Sequence, residues 1–363
     1  MSKQRILLNH QSHLLNFLLT SPAGQEALRT AYEDGVVPKC QCKASGVEMY
    51  ISRRGNTYYL AKLPDSGFLH ANDCPSGCAG GVISGLETYG HGALVYRDLK
   101  YRVFYTETRS FIDRLPTSCT IDGLLDLLIE LAGMNTKYPN ETSTWGTYFQ
   151  KMREAAASIE VNGESLADRL FVPQSFDTES ADEINAEIAR RLDPASQVRW
   201  VCAPMKAVLS SKYGWLIKLK HLGRHFFWVS SQASRLSTVR STNPIDMSAP
   251  PEHAMCLLGI KPGRDPFNFN VTEFAIRPTD ASLFPSSDRL NGLLTFLLGQ
   301  RHPVIRPLRY DAYPEHVMAD FGLIQENAVI PAFRLTKEDP NNSDRRRLAY
   351  LIQRNADVFI TEC

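Results

Sequence analysis

The chain has 363 residues, enough for two or three domains with sizeable hydrophobic cores. Apolar residues make up 43% of the sequence and charged residues 22%, the composition of an ordinary soluble globular protein. The 40 lysines and arginines nearly balance the 39 aspartates and glutamates, so only a local basic patch, and not the overall charge, could attract nucleic acid.

The N-terminal residues 6–19 predict an amphipathic helix. Polar residues interrupt their leucines, so the segment lacks the unbroken apolar core of a secretory signal. No apolar run in the chain reaches the roughly 18 residues that cross a bilayer. We therefore expect a cytoplasmic protein with no membrane partner. A second helix is predicted to begin at Pro22, capped by Ser21, and to end near Gly35.

Residues 40–78 contain four of the eight cysteines and one histidine. Cys40, Cys42, His70 and Cys74 offer three thiolates and one imidazole, the ligand set of a closed, structural zinc site. Between the two ligand pairs, apolar residues alternate along two runs that flank residues 53–56. This pattern predicts a β-hairpin that brings the pairs together.

Other interpretations of these cysteines are weaker. Without a secretory signal a reducing compartment is expected, which favours a metal over disulfides. Cys78 could replace Cys74 as the fourth ligand, but Cys74 completes a compact H-x3-C turn with His70. A catalytic zinc is disfavoured because four protein ligands leave no position open for water.

The middle of the chain predicts several further elements. Residues 93–107 resemble a hairpin that continues the sheet of the zinc module. Two helices are expected at about 121–132 and 144–159, either as a winged-helix unit that faces DNA or, preferably, as a helical packing domain. Residues 175–196 predict an acidic surface helix between domains.

The following region is rich in predicted strands, which lie at 198–210, 215–222, 225–230, 255–260 and 271–278. His221 and His225 flank a turn without nearby carboxylates, so we interpret them as packing or surface residues and not as metal ligands.

From residue 286 onward the predicted order is α-β-β-β-α-β. This order resembles the core of the PD-(D/E)xK nucleases, in which an aspartate on the second strand and an E-x-K motif on the third bind Mg²⁺ and activate water.

Asp320 occupies the position of the metal-binding aspartate, but the third strand departs from the motif. Arg334 and Thr336 stand where the glutamate and lysine of E-x-K are expected, and a guanidinium cannot bind Mg²⁺. We therefore expect a degenerate site that is non-catalytic or only weakly catalytic. The alternative is an Mg²⁺-dependent nuclease whose ligands have migrated. It would use Asp320 and Lys337, with Asp288 or Glu315 as a substitute ligand.

Basic residues cluster in the same region and could bind a phosphate backbone without reading bases. The candidates are Arg306, Arg309, Arg334, Arg345, Arg346 and Arg347. The last three could instead form the solvent-exposed side of the final helix.

Several segments together resemble an uncharacterised family known only as a domain of unknown function. They are CQC, LPDSGFLHANDC, GLLDLLIELAGMNT, LADRLFVPQSF, YGWLIKLKHL and VIRPLRYDA. That family is carried by bacterial plasmids and integrative conjugative elements. The resemblance implies an accessory factor of a mobile element, with Cys40, Cys42, His70 and Cys74 as zinc ligands. The order of a zinc module before a nuclease-like core also resembles the CoiA-type competence proteins.

The sequence thus predicts an α+β protein in three parts. A helical lead-in and zinc-binding hairpin module is expected at 1–115, a helical domain at 116–196, and a β-rich, nuclease-like α/β domain at 197–363. The predicted function is binding of DNA or of a DNA-processing protein, with a nuclease or a zinc-based protein adaptor as alternatives. No small-molecule cofactor is expected, because the chain has no phosphate-binding glycine loop and no nucleophile elbow.

Overall fold

The structure is a computed structural model of the chain. It describes residues 4–63, 66–71, 74, 76, 89–90, 92–106, 118–139, 141, 144–175, 177–212, 214–230, 250–309, 319–325, 328–335, 348 and 358–362. The fold is a mixture of helices and sheets, as the sequence predicts. Two compact units are built mainly on Met1–Ser84 and on Gly85–Tyr310 with Ala319–Arg334. The division into three domains stays a prediction.

The first unit is a five-stranded sheet covered by two helices. Its strands are β1 Arg5–Leu8, β2 Gln11–Leu14, β3 Lys39–Cys40, β4 Val47–Arg54 and β5 Thr57–Lys62, and its helices are α1 Leu15–Thr20 and α2 Pro22–Glu33. The strand order is β2-β1-β3-β4-β5, with antiparallel pairs throughout. Ile6, Leu8, Leu18 and Leu28 are buried in its core.

The prediction of an N-terminal helix over residues 6–19 is wrong for most of its length. β1 and β2 form a hairpin instead, and only the short α1 follows. The turn consists of Asn9 and His10, whose φ angles are +47° and +64°. Two successive positive φ angles make a type I′ turn, whose twist matches that of a hairpin and which an α-helix cannot contain.

The other elements predicted for this unit are confirmed. α2 begins at Pro22, and the Ser21 hydroxyl accepts a hydrogen bond from the Gly24 N–H at 2.9 Å. β4 and β5 form the expected hairpin, with Gly55 at a φ of +59° in the tight turn. The Gln25 side chain exchanges two hydrogen bonds with the Tyr58 backbone, of 2.8 and 3.0 Å, and so joins α2 to β5.

The second unit begins with short strands and four helices. The strands are β6 Leu94–Arg97, β7 Lys100–Val103, β8 Thr136–Lys137, β9 Ile159–Val161, β10 Glu164–Ser165 and β11 Leu170–Phe171. The helices are α3 Ile121–Leu131, α4 Trp145–Ala157, α5 Leu166–Arg169 and α6 Ala181–Arg191. The helices predicted at 121–132 and 144–159 are confirmed. α6 lies where a surface helix is predicted, and its Ile184 and Ile188 are buried.

The hairpin predicted at 93–107 exists as β6 and β7, but it does not extend the sheet of the first unit. β7 pairs with β9 in a parallel arrangement, and the resulting sheet has the order β10-β9-β7-β6. The Asn162 side chain joins this sheet to the next segment by two hydrogen bonds of 2.9 Å with the Tyr105 backbone. These pairings are non-local, which is why local sequence patterns did not reveal them.

The largest sheet of the second unit closes on itself. Its principal strands are β12 Trp200–Ser211, β13 Gly214–Leu219, β14 Phe226–Ser230, β15 Ala254–Pro262 and β16 Asn268–Pro278. They follow the order β12-β13-β14-β16-β15, and β15 also pairs with β12, so the five strands form a closed barrel. β11 adds to the edge of β12 in parallel. Alternating residues such as Ile217, Phe227 and Val229 fill the interior.

A buried ion pair joins α3 to this barrel. Arg277 on β16 lies 2.6 Å from the Asp126 carboxylate on α3. Burial alone would lower the pKa of the Arg277 guanidinium, but the carboxylates of Asp126 and Asp122 together outweigh that effect and raise the pKa. Arg277 is therefore charged, and losing either partner would leave a buried charge without compensation.

The last sheet and the helix that precedes it contain the described elements of the predicted C-terminal core. They are α7 Asn291–Gly299, β17 Val304–Ile305, β18 Phe321–Gln325, β19 Ala328–Leu335 and β20 Phe359–Glu362, in the strand order β20-β19-β18-β17-β8. The second helix of the predicted α-β-β-β-α-β order lies outside the described residues, apart from Leu348. This strand order alone does not establish a nuclease-like core.

Within the described part of the chain, no helix has the length and apolarity needed to cross a membrane.

Candidate metal centre

Four potential metal ligands converge in the first unit. Cys40 ends β3, and Cys42 lies in the turn that follows it. His70 ends a 3-10 turn at Gly67–Leu69, and Cys74 follows four residues later. The β4–β5 hairpin lies between the two pairs in sequence and brings them together in space. The ligand atoms all lie within 4.8 Å of one another, so the cluster could hold a metal ion.

The individual distances fit a tetrahedral zinc ion. With Zn–S bonds of about 2.3 Å and Zn–N bonds of about 2.0 Å, tetrahedral angles place two sulfurs about 3.8 Å apart, and a sulfur and a nitrogen about 3.5 Å apart. The Sγ atoms of Cys40 and Cys74 are 3.7 Å apart. His70 Nδ1 lies 3.4 Å from Cys42 Sγ and 3.6 Å from Cys74 Sγ. These three distances agree with the spacing around a tetrahedral zinc ion.

Two N–H groups outside the cluster donate to its sulfurs. Gln4 Nε2 lies 3.2 Å from Cys40 Sγ and also donates to the Ser76 hydroxyl at 2.8 Å. The backbone N–H of Ala71 donates to Cys42 Sγ at 3.3 Å. Three thiolates around a divalent cation carry a net charge of about −1, which such donors stabilise. Sequence analysis missed Gln4, because it is 36 positions from Cys40 and belongs to no local motif.

Burial disfavours the charged forms of the ligands while no metal neutralises them. It raises the pKa of the Cys40 thiol, and it raises the pKa of the Cys74 thiol to about 12. Burial also lowers the pKa of His70, with further contributions from the positive charges of Lys62 and Lys43. His70 is therefore neutral at pH 7 and able to bind a metal.

The remaining cysteines do not extend the cluster within the described residues. Cys119, Cys202 and Cys256 are buried elsewhere and form no disulfide. Cys78 lies outside the described residues, so only Cys74 can be compared with the geometry of a metal ligand, and its distances fit.

His221 packs against the rings of Trp145 and Phe149, and His225 against Phe267 and Phe269. Both histidines thus have the packing role expected from the sequence.

The surroundings of Asp320 differ from those of a metal-binding aspartate. Asp320 is buried immediately before β18, and its Oδ2 accepts a hydrogen bond of 2.9 Å from the Arg334 backbone N–H. Its Oδ1 lies 3.9 Å from guanidinium nitrogens of both Arg289 and Arg306. Two positive charges already balance this carboxylate and would repel Mg²⁺.

Among the other predicted site residues, Arg306 and Arg334 lie beside Asp320, whereas Arg309 and Asp288 contact other residues. The Arg309 guanidinium is buried 3.5 Å from Glu130 and stacks on Tyr101, and Arg306 stacks on Phe321 and donates to the Asp320 carbonyl. Asp288 accepts a hydrogen bond of 3.4 Å from Asn291. Phosphate binding by Arg306, Arg309 and Arg334 stays a prediction. Glu315, Thr336, Lys337, Arg345, Arg346 and Arg347 lie outside the described residues.

Replacing single cysteines identifies the fourth ligand. We expect Cys74→Ser to lose its zinc to a chelator and to unfold the first unit at a lower temperature, because metal-binding energy at such a site is largely folding energy. Cys78→Ser should keep one equivalent of zinc, and so should Cys202→Ala, the control for loss of a buried cysteine. Elemental analysis and thermal unfolding measure both effects. Retention of zinc by Cys74→Ser with loss by Cys78→Ser would contradict the assignment.

Metal binding should release protons, since cysteine binds zinc as a thiolate. The raised pKa values of Cys40 and Cys74 keep these thiols protonated at pH 7 in the metal-free protein, whereas His70 is already neutral. We expect about three protons to be released per zinc, and the affinity to fall by at least about a hundredfold for each unit that the pH is lowered. Titration calorimetry in buffers of different ionisation enthalpy counts the protons. Release of one proton or none would exclude ligation by three thiolates.

Comparison with known proteins gives one match. The model of a family described as "Protein of unknown function (DUF1173)" matches residues 15–98 and 105–360. Searches of curated proteins and of solved structures each returned no match. The match covers nearly the whole chain and includes all four clustered ligands, which agrees with the resemblance drawn from the sequence. The chain belongs to the DUF1173 family of proteins of unknown function.

Proposed function

We propose that the protein is a zinc-stabilised DNA-binding protein that does not cut DNA. The observation that carries the proposal is the cluster of Cys40, Cys42, His70 and Cys74, whose spacing fits a closed tetrahedral site. Three thiolates and one imidazole would saturate zinc and leave no place for a reacting water. The metal would thus have a structural role, holding the ends of the β4–β5 hairpin in place.

The hairpin itself supports binding to DNA. Arg53 and Arg54 end β4 at the exposed tip, and their guanidinium groups lie 5.8 Å and 5.6 Å from the ring centres of Tyr58 and Tyr59. Stacking on a ring limits the conformations of an arginine and leaves the edge of its guanidinium available for a ligand. The Arg53 Nε–H also donates to the Gly55 carbonyl at 2.8 Å, which holds this side chain at the tip. A two-stranded ribbon fits the major groove of a duplex, and arginines at its tip can bind phosphates or guanine.

The contacts of Asp320 support the absence of cleavage. One carboxylate oxygen accepts a hydrogen bond from the Arg334 N–H, and the other lies near the guanidinium groups of Arg289 and Arg306, as in a structural ion-pair network.

Recruitment of the protein by a mobile element rests on the sequence resemblance alone. The adaptor alternative, in which the zinc module binds a DNA-processing protein, would be favoured if the purified protein binds no DNA and a stable partner copurifies with it.

Binding to duplex DNA should depend on salt and on Arg54. We expect affinity to fall steeply as salt rises, and Arg54→Ala to weaken binding and reduce the slope of log affinity against log salt by about 1. Arg29→Ala is the matched control, because Arg29 is an exposed arginine of the same unit that pairs with Glu26 and Glu33 on α2. Fluorescence anisotropy with a labelled duplex gives both values. Absence of binding at low salt, or an equal loss in Arg29→Ala, would refute the hairpin assignment.

Cleavage assays separate this proposal from the nuclease alternative. We expect neither wild type nor Asp320→Asn to cut plasmid or linear DNA with Mg²⁺ or Mn²⁺, because the Asp320 carboxylate is already neutralised by arginines. Cleavage by wild type that disappears in the nearly isosteric Asp320→Asn would instead establish an Mg²⁺-dependent nuclease. In that case Lys337 would be the next residue to test.

A further inference from the structure

The barrel of the second unit has a specific strand arrangement. Numbered one to five along the chain, β12, β13, β14, β15 and β16 follow the order 1-2-3-5-4, and strand 4 closes back on strand 1. The third and fifth strands pair in parallel, and all other neighbours pair in antiparallel fashion. This is the Greek-key arrangement of the OB fold, whose second and third strands and adjoining loops form a binding face for oligonucleotides or oligosaccharides.

The outer face of β13 and β14 carries aromatic and basic side chains. Ile217 and Phe227 point into the barrel, so their neighbours Leu216, Phe226 and Trp228 lie outside, where all three are only partly buried. Leu216 pairs across the strands with Trp228. Lys218, also on this face, places its Nζ 5.2 Å from the ring centre of Phe226. A cation beside partly exposed rings suits a ligand that has flat bases and a charged backbone.

The same face continues into a groove between two turns. The β13–β14 turn and the β15–β16 turn border an open depression of about 580 Å³, lined by Arg224, Phe226, Asp265 and Phe267 among others. Phe267 is 44% exposed, and its ring centre lies 5.6 Å from that of His225. Asp265 accepts a hydrogen bond of 2.9 Å from the Phe267 N–H and one from Asn268, so its carboxylate organises the loop.

We infer that this face binds single-stranded nucleic acid. Bases would stack on Trp228, Phe226 and Phe267, and the phosphates would lie near Lys218 and Arg224. The two cations favour a polyanion over a neutral oligosaccharide, the other ligand class of such barrels. Unstacked bases are available only in single strands, so the ligand differs from the duplex assigned to the hairpin. The inference therefore goes beyond the proposed function and does not depend on it.

Anisotropy with a fluorescent oligothymidylate, measured on the full chain with its metal, tests the inference. We expect binding that Trp228→Ala and Phe226→Ala each weaken by about tenfold or more, the usual effect of removing one stacking ring. Lys218→Glu, a surface change that spares the barrel interior, should weaken binding most at low salt. An oligouridylate of equal length shows whether DNA or RNA is preferred.

The controls use residues of the same unit away from this face. Tyr96→Ala removes an exposed ring on β6, and Arg190→Ala removes an exposed cation on α6; both should bind single strands like wild type. Arg54→Ala should also leave single-strand binding unchanged, which separates this site from the hairpin. Three results would overturn the inference. They are no binding to single strands at low salt, equal losses in the Tyr96→Ala control, or binding of a neutral oligosaccharide in place of the oligonucleotide.

Discussion

The first unit depends on bringing together two ligand pairs that are separated in sequence by 27 intervening residues. Its sheet includes the two-residue β3, and its helices are short, so the hydrophobic core around Ile6, Leu18 and Leu28 is small. Small domains often need a metal or a disulfide to compensate for a limited core. A metal ion bound by Cys40, Cys42, His70 and Cys74 would provide that crosslink and would hold the hairpin that carries the two arginines.

The second unit is built around a closed barrel. Alternating residues of its strands fill the interior, and the pairing of β15 with β12 removes the open sheet edges. Closure also fixes which side chains face outward, and this places Phe226 and Trp228 beside Lys218. Partly exposed aromatic residues on such a rigid sheet lose little entropy on binding, which is the usual reason that binding sites are built on rigid elements.

Sequence reasoning was most reliable where the signal is local. The spacing of the four ligands, the Ser21–Pro22 helix start and the Gly55 turn each depend on a few adjacent residues. It failed at residues 6–14, because a short leucine-rich run has no decisive period and the Asn9–His10 turn was not recognised. The barrel could not be predicted as a closed structure, since its closure pairs Trp200 with Gly259, which lie far apart in the sequence. The role of Gln4 at the thiolates is equally non-local.

The central claim is that one zinc ion bound by three sulfurs and one nitrogen organises the first unit. X-ray absorption spectroscopy at the zinc edge, on protein purified without added metal, tests it most directly. The account predicts one equivalent of zinc with three sulfur neighbours at about 2.3 Å and one nitrogen at about 2.0 Å. A shell of oxygen and nitrogen atoms, or a folded protein that contains no zinc, would contradict it.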